Sequence, residues 1–269
     1  MSRHKLRIAN YEPRITNYAS RLLWIVLVFV FITSCTPVTI SGEPMAQANH
    51  LYEAGEFAQA AAAYQTLVDS GVVDGVLYYN LGNAYFKSGD LGRAILNYRR
   101  AQRLLPRDAD IAANLTLARA QTKDQLGTEE SGLAQFVTHV LVGWTTLDEA
   151  AALALGLWIV LCGLFIAKMV LRRWHGVLFR IVTLVVAVAL ALCVLSVGLR
   201  IADAHGRPPG VIVADTVEVH SGPGNDYLTE FSLHAGAEIR VIEARAGWVR
   251  IALPGDLQGW VSEEALAQL

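Results

Sequence analysis

The chain has 269 residues, 54% of them hydrophobic and 17% charged, with a formal net charge of -2. Soluble domains average about 45–50% apolar and about 25% charged residues, so this composition leans towards a membrane, and the near-neutral balance gives no electrostatic footprint for nucleic acid. Cys35, Cys162 and Cys193 form no metal-binding or redox spacing. Cys162 and Cys193 sit inside apolar runs, where crossing a bilayer in opposite directions leaves them at depths about 9 Å apart at 1.5 Å per residue, too far for a relaxed disulfide.

Residues 1–21 carry Arg3, Lys5, Arg7, Arg14 and Arg21 against one acid, Glu12, and an apolar run follows at residues 22–32. A basic head with an apolar core too short to span is the build of an export signal, assigned here to residues 1–35. The run ends in Ile32-Thr33-Ser34-Cys35, which resembles the lipobox of bacterial lipoproteins. That resemblance implies a lipid on Cys35; the alternatives are an ordinary signal or an uncleaved anchor. On each reading the residues after 35 are expected outside the cytoplasm.

Residues 78–106 read as two amphipathic helices joined at Ser88-Gly89-Asp90. Gly82, Ala94 and Ala101 fall where two helices must approach closely; Tyr78, Leu81, Tyr85 and Tyr98 fill the spaces between, and Pro106 ends the second helix. A shift of 34 residues repeats the pattern, with Gly89 on Gly55, Leu91 on Phe57, Ala94 on Ala60, Tyr98 on Tyr64, Gly82 on Ala48 and Asn83 on Asn49. The spacing resembles the tetratricopeptide repeat (TPR), with Tyr78 in the usual tryptophan place. Such a repeat cannot bury its apolar face alone, and Ile111, Leu115 and Ala118 supply a further helix as a lid, with Arg119 and Gln121 on its polar side. The repeat domain is assigned to residues 44–126. The resemblance implies a concave groove lined by the first helix of each pair. There Tyr79, Asn83 and Lys87 are spaced four apart, and Asn49 and Tyr52 take equivalent rungs in the first repeat. An amide, an aromatic and a cation suit an extended peptide or a carboxylate terminus; the plainer alternative is a solvated helix face.

Residues 125–133 are acidic and glycine-containing, as in a hinge. Residues 127–147 form either a simple linker or an interfacial helix, with Leu133, Phe136, Val137, Val140 and Leu141 on one face. Two longer apolar runs follow, giving expected transmembrane helices at residues 148–171 and 181–200. Lys168 at the end of the first can snorkel. The joining residues 172–180 carry Arg172, Arg173 and Arg180, whereas Asp148 and Glu149 flank the first span on its other side. The positive-inside bias makes that joining loop cytoplasmic and sends both long flanks outward, with Trp144 and Trp174 near opposite interfaces. A soluble helical hairpin is the alternative. Residues 201–210, containing Pro208-Pro209, are expected to be a stiff linker.

From Val211 the period changes to two, with short β-branched runs separated by Gly, Pro and Asp turns, the pattern of a small antiparallel barrel. Val217-Glu218-Val219-His220-Ser221-Gly222-Pro223-Gly224, Gly236, Gly247-Trp248-Val249-Arg250-Ile251 and Gly259-Trp260-Val261 resemble the bacterial SH3 (SH3b) domain across residues 211–269. His220 stands where the familiar opening has arginine. The resemblance implies an aromatic surface and a long first loop that bind peptides, including cell-wall peptides, with Tyr227, Phe231 and Trp260 as candidates. Trp248 is expected in the core.

The fold class is therefore multidomain: an α-helical TPR array, a transmembrane helical hairpin and a small all-β SH3-like barrel. No phosphate-binding Gly-Lys-Ser/Thr run, no HExxH and no CxxC is present, and no segment offers a converging catalytic set; neither an enzyme nor a cofactor or metal is expected. The order of parts resembles the BatE-type proteins of bacterial aerotolerance operons. That resemblance implies a periplasm-facing scaffold on the inner membrane, acting in oxidative stress beside von Willebrand factor A-domain membrane proteins and a MoxR-type ATPase. Membrane lipid is a further expected partner. The alternative function is an envelope sensor or tether whose SH3b module binds peptidoglycan.

Overall fold

The computed structural model of the chain describes residues 42–124, 145–170, 176–206 and 208–269. The expected signal with Cys35, the hinge and interfacial segment, Trp144, Arg172, Arg173 and Trp174 lie outside the described residues.

Five helices open the described part: α1 (Gly42–Glu53), α2 (Phe57–Asp69), α3 (Gly75–Ser88), α4 (Leu91–Leu104) and α5 (Ala109–Ala120). Local chemistry sets their ends. Asp74, Asp90 and Asp108 cap α3, α4 and α5, each accepting from a backbone N–H of the first turn at 2.8–3.2 Å. The turns inside each repeat rest on Gly55 (φ 80°) and Gly89 (φ 89°), 34 positions apart, in the left-handed region that glycine enters without a Cβ penalty. Packing follows the repeat as well. A Cβ on Gly82 would stand 2.8 Å from the Tyr98 ring, so only glycine lets α3 lie that close to α4. Ala48 holds the matching place in the first repeat and is fully buried. The lid residues Ile111, Leu115 and Ala118 are buried as expected.

Two long apolar helices follow, α6 (Leu147–Val170) and α7 (Val177–Gly206), and both are long and apolar enough to cross a membrane. Large apolar side chains face outward along them, among them Trp158, Phe165, Leu178 and Leu184. The two helices pack on each other, and the Arg200 guanidinium donates to Thr145 Oγ1 at 3.0 Å beside the start of α6. Most of residues 201–210, expected as a linker, are the last turns of α7; the helix stops only where Pro208 and Pro209 forbid it.

The C-terminal region is a seven-stranded antiparallel sheet: β1 (Pro209–Ile212), β2 (Thr216–His220), β3 (Thr229–His234), β4 (Glu238–Arg245), β5 (Trp248–Ala252), β6 (Gln258–Ser262) and β7 (Leu266–Gln268). The strand order is β3-β2-β6-β5-β4-β1-β7, with β3 and β7 as edges, so the ladder does not close on itself. Ala246 and Gly247, both at positive φ, make the two-residue turn between β4 and β5, the type whose twist suits a hairpin. Ile212, Val219, Leu233, Ile239, Val249, Ile251 and Val261 form the core of the sheet.

Array and sheet are not beads on a string. Val211 of β1 belongs to one buried cluster with Ala94, Ile95, Leu96 and Tyr98 of α4 and Leu115 and Ala118 of α5. Polar contacts ring this junction. Glu238 receives Arg119 at 2.5 Å and pairs with Arg99 at 3.2 Å. Asp124 accepts from the His234 backbone N–H at 2.6 Å and stands 3.0 Å from its Nδ1, and Arg100 donates to the Gln268 carbonyl at 2.9 Å. Burial alone would raise the Glu238 carboxyl; the Arg119 hydrogen bond and the two guanidinium charges outweigh it and hold the carboxyl below its ordinary value.

Candidate functional site

The first helices of the repeats, α1 and α3, lie side by side and α5 follows them in the same row, so α5 takes the position of a first helix after the second repeat. Along this row runs a repeated hydrogen-bond unit. Tyr64 Oη donates to Asn49 Oδ1 at 2.6 Å, and Asn80 Nδ2 reaches the same oxygen at 3.5 Å. One repeat later, Tyr98 Oη donates to Asn83 Oδ1 at 2.8 Å and Asn114 Nδ2 donates to it at 2.9 Å. Asn114 Nδ2 also donates to Tyr79 Oη at 3.0 Å.

In this network the Asn49 and Asn83 oxygens are the acceptors, approached by the Tyr64 and Tyr98 hydroxyls and by the NH₂ groups of Asn80 and Asn114. Burial pushes the Tyr64 phenol up to about 12 and raises Tyr98 as well, which keeps both hydroxyls protonated donors. The Asn49 and Asn83 oxygens are thereby occupied within the protein. Their NH₂ groups meet no protein acceptor among the described residues, and both side chains are only half-buried. The groove presents them as donors.

Asn49, Tyr52, Glu53, Tyr64, Asn80 and Asn83 line an open cavity of about 220 Å³. Tyr52 stacks edge-on against Phe57 with ring centres 5.2 Å apart, and burial followed by the neighbouring Tyr79 raises its phenol. Of the five residues expected in the groove, Asn49, Tyr52 and Asn83 meet in this cavity, and Tyr79 adjoins it through Asn114 and a tilted contact with Tyr98 at 6.1 Å. Lys87 does not join them. It is exposed in the last turn of α3, so the cavity has no cation and one carboxylate, Glu53. A carboxylate terminus finds no charged partner inside it. Asn80 and Asn114 were missed in the sequence, although they too stand 34 positions apart, the same offset that revealed the repeats.

On the sheet, the three aromatic candidates do not form one surface. Tyr227 is 51% exposed, Phe231 packs against the core and Trp260 is buried at 9%. Trp248, expected in the core, is the more open of the two tryptophans. The reason lies in His220: it is buried, its Nδ1 stands 3.1 Å from the Tyr227 carbonyl oxygen, and Trp248 covers its ring edge-on at 5.4 Å. His220 thus ties the loop after β2 to the sheet. Gly222 lies beneath the Tyr227 ring, where a Cβ could not fit. An edge of Trp260 lines a shallow polar depression with Ser221, Glu230, Arg250 and Gln258. Among the described residues no group of His, Cys, Asp and Glu is placed to hold a metal ion, and Cys162 and Cys193 are free thiols.

The tetratricopeptide repeat family model matches residues 45–109, which span both helix pairs and the start of α5. No curated protein matches the chain. Tetratricopeptide repeats suggest an interaction scaffold with protein partners in general.

Proposed function

We propose that this protein is a non-enzymatic, membrane-anchored scaffold that holds an extended segment of a partner protein in the groove of α1, α3 and α5. The observation that carries this reading is the pair of Asn49 and Asn83 amide donors, fixed by Tyr64 and Tyr98 and left facing the cavity. A peptide in extended conformation carries carbonyl acceptors at regular intervals, and donors one repeat apart match that regularity. Aromatic side chains at Tyr52 and Tyr79 add apolar contact at low entropic cost.

The anchor is the α6–α7 hairpin. Apolar side chains exposed along both helices have no use for water and suit lipid. The shared core of array and sheet bears on sidedness. Two modules that bury Val211 against Ile95 and Leu115 belong on the same side of a bilayer, and a pair of spans between them returns the chain to that side. With the arginine-bearing loop inside, both modules face outward, towards the periplasm of a bacterial inner membrane. The sheet takes the role of an SH3b-like module, and the order of parts remains that of the BatE-type scaffolds with von Willebrand factor A-domain and MoxR-type companions. Because only Tyr227 of the three sheet aromatics is open, recognition is assigned to the helical groove in preference to a wall-binding sheet.

The test replaces the donors without disturbing the struts. In Asn49→Asp with Asn83→Asp, a carboxylate oxygen still accepts from the tyrosine and asparagine donors, while the groove loses both NH₂ groups. Crosslinking in intact membranes should then recover partners from the parent chain and lose them in the double variant. Unchanged recovery of every partner would remove the groove from the proposal.

A further inference from the structure

We infer that the end of the helical array carrying the α2–α3 and α4–α5 turns is itself a lipid-contacting surface that rests in the outer interface of the bilayer. This rests on the membrane reading of α6 and α7. Val73, Val76 and Leu104 are 70%, 51% and 37% exposed, on two turns that touch: a Cβ on Gly75 would strike the side chains of Leu104 and Leu105. Three outward apolar side chains on adjoining turns make a patch, whereas single ones scattered over a surface need no explanation.

What covers the patch follows from its neighbour. Arg107, three residues after Leu104, pairs with Glu149 at 2.6 Å, and Glu149 lies in the first turn of α6. Leu147, which opens that helix, is 46% exposed. Glu149 and Arg200 therefore mark the level at which the apolar hairpin meets polar surroundings, and the α4–α5 turn is clamped at that level. A surface held there has headgroups and the upper acyl chains beside it. Valine and leucine insert at that depth, with the Arg107 guanidinium among the headgroups. The opposite end of the array is the α3–α4 turn, some 20 Å away along the 14 residues of α3. It should stay in water.

The experiment places an environment-sensitive fluorescent amino acid singly at position 73, 76, 88 or 160 of the full chain. The chain is reconstituted into vesicles of phosphatidylethanolamine and phosphatidylglycerol, with and without bromine on the acyl chains. Probes at 73 and 76 should emit to the blue of the probe at 88 and lose emission to brominated lipid, while the probe at 88 responds only to aqueous iodide. Position 160 lies in mid-α6 and reports the anchor alone. Quenching at 160 by brominated lipid with iodide-quenched emission at 73 and 76 would overturn the lipid-contacting surface and leave the membrane anchor standing. Loss of lipid quenching at 160 as well would overturn both.

Discussion

Gly92→Ala separates a fused array and sheet from two independent modules by the sign of its effect. Gly92 is the second residue of α4, and an alanine there normally helps a helix, by up to about 1 kcal/mol. In this protein a Cβ at that position would stand 2.6 Å from the Ile212 carbonyl oxygen and 2.8 Å from the Val213 Cα. Both are backbone atoms and cannot rotate away. To restore the 3.4 Å of ordinary contact, α4 and β1 must separate by about 0.8 Å, a gap that forfeits a quarter to a half of the dispersion well for each facing pair. Overpacking of this kind costs about 1–3 kcal/mol, so it offsets or exceeds the helix gain and, against the full gain, the net change is destabilising by up to about 2 kcal/mol. Thermal unfolding of the detergent-solubilised chain should show a midpoint lower by about 2–4 °C for each kcal/mol. Hydrogen exchange should localise the loss to β1 and the facing turn of α4. A raised midpoint with unchanged β1 protection would mean that nothing sits against Gly92, and the fused architecture would fail.

Two further outcomes follow from the struts and the junction. Tyr98→Phe removes one donor to Asn83 Oδ1 but leaves Asn114 at 2.9 Å, whereas Tyr64→Phe leaves Asn49 only the 3.5 Å approach of Asn80; each should cost about 0.5–1.5 kcal/mol in chemical denaturation, Tyr64→Phe the more, and the reverse order would deny that the second donor matters. Glu238, whose folded carboxyl lies below its ordinary value, contributes stability that is fully present above the unfolded value of about 4.3 and is lost as pH falls through the folded one. The midpoint of the parent chain should therefore exceed that of Glu238→Gln at neutral pH, and the two should converge in acid; a constant difference across the series would contradict the ion-pair account.

The elements were legible where one residue type has one mechanical use. Gly89 and Gly55 at 34-residue spacing signalled the turns between helices, Gly82 signalled a helix–helix contact, and the period-two runs after Val211 signalled strands. What could not be read was the junction. Val211, Ile95 and Leu115 each look like ordinary core of their own module, and nothing in local spacing tells a residue buried within a repeat from one buried between a repeat and a strand. Arg119 shows the same limit, since a cation on the polar side of a lid helix reads as solvated until Glu238 is found facing it. Asn49 and Asn83 were found by position and assigned to ligand contact; half of that assignment belongs to structure, because their oxygens are held by tyrosines fifteen residues away. Trp248, expected in the core, is more open than Trp260 for a comparable reason: the buried His220 imidazole needs cover, and Trp248 provides it from the outside.

The fused junction changes the physics proposed for a scaffold. With a flexible linker, the effective concentration of a second site falls off with linker length, and a partner of almost any size can be accommodated. With Val211 in the core of the array and Glu238 held by two arginines, the distance and angle between the groove and the sheet are fixed. A bivalent partner of matching geometry loses little orientational freedom on engaging the second surface, and one of any other geometry engages a single surface. Rigid coupling thus trades tolerance for selectivity, and it extends to the apolar hairpin, because Arg107 and Glu149 set the array against the start of α6. On the proposal that α6 and α7 are a membrane anchor, a partner bound in the groove would be held at a set height above the bilayer, which suits recognition of a segment that itself emerges from the membrane at a defined distance.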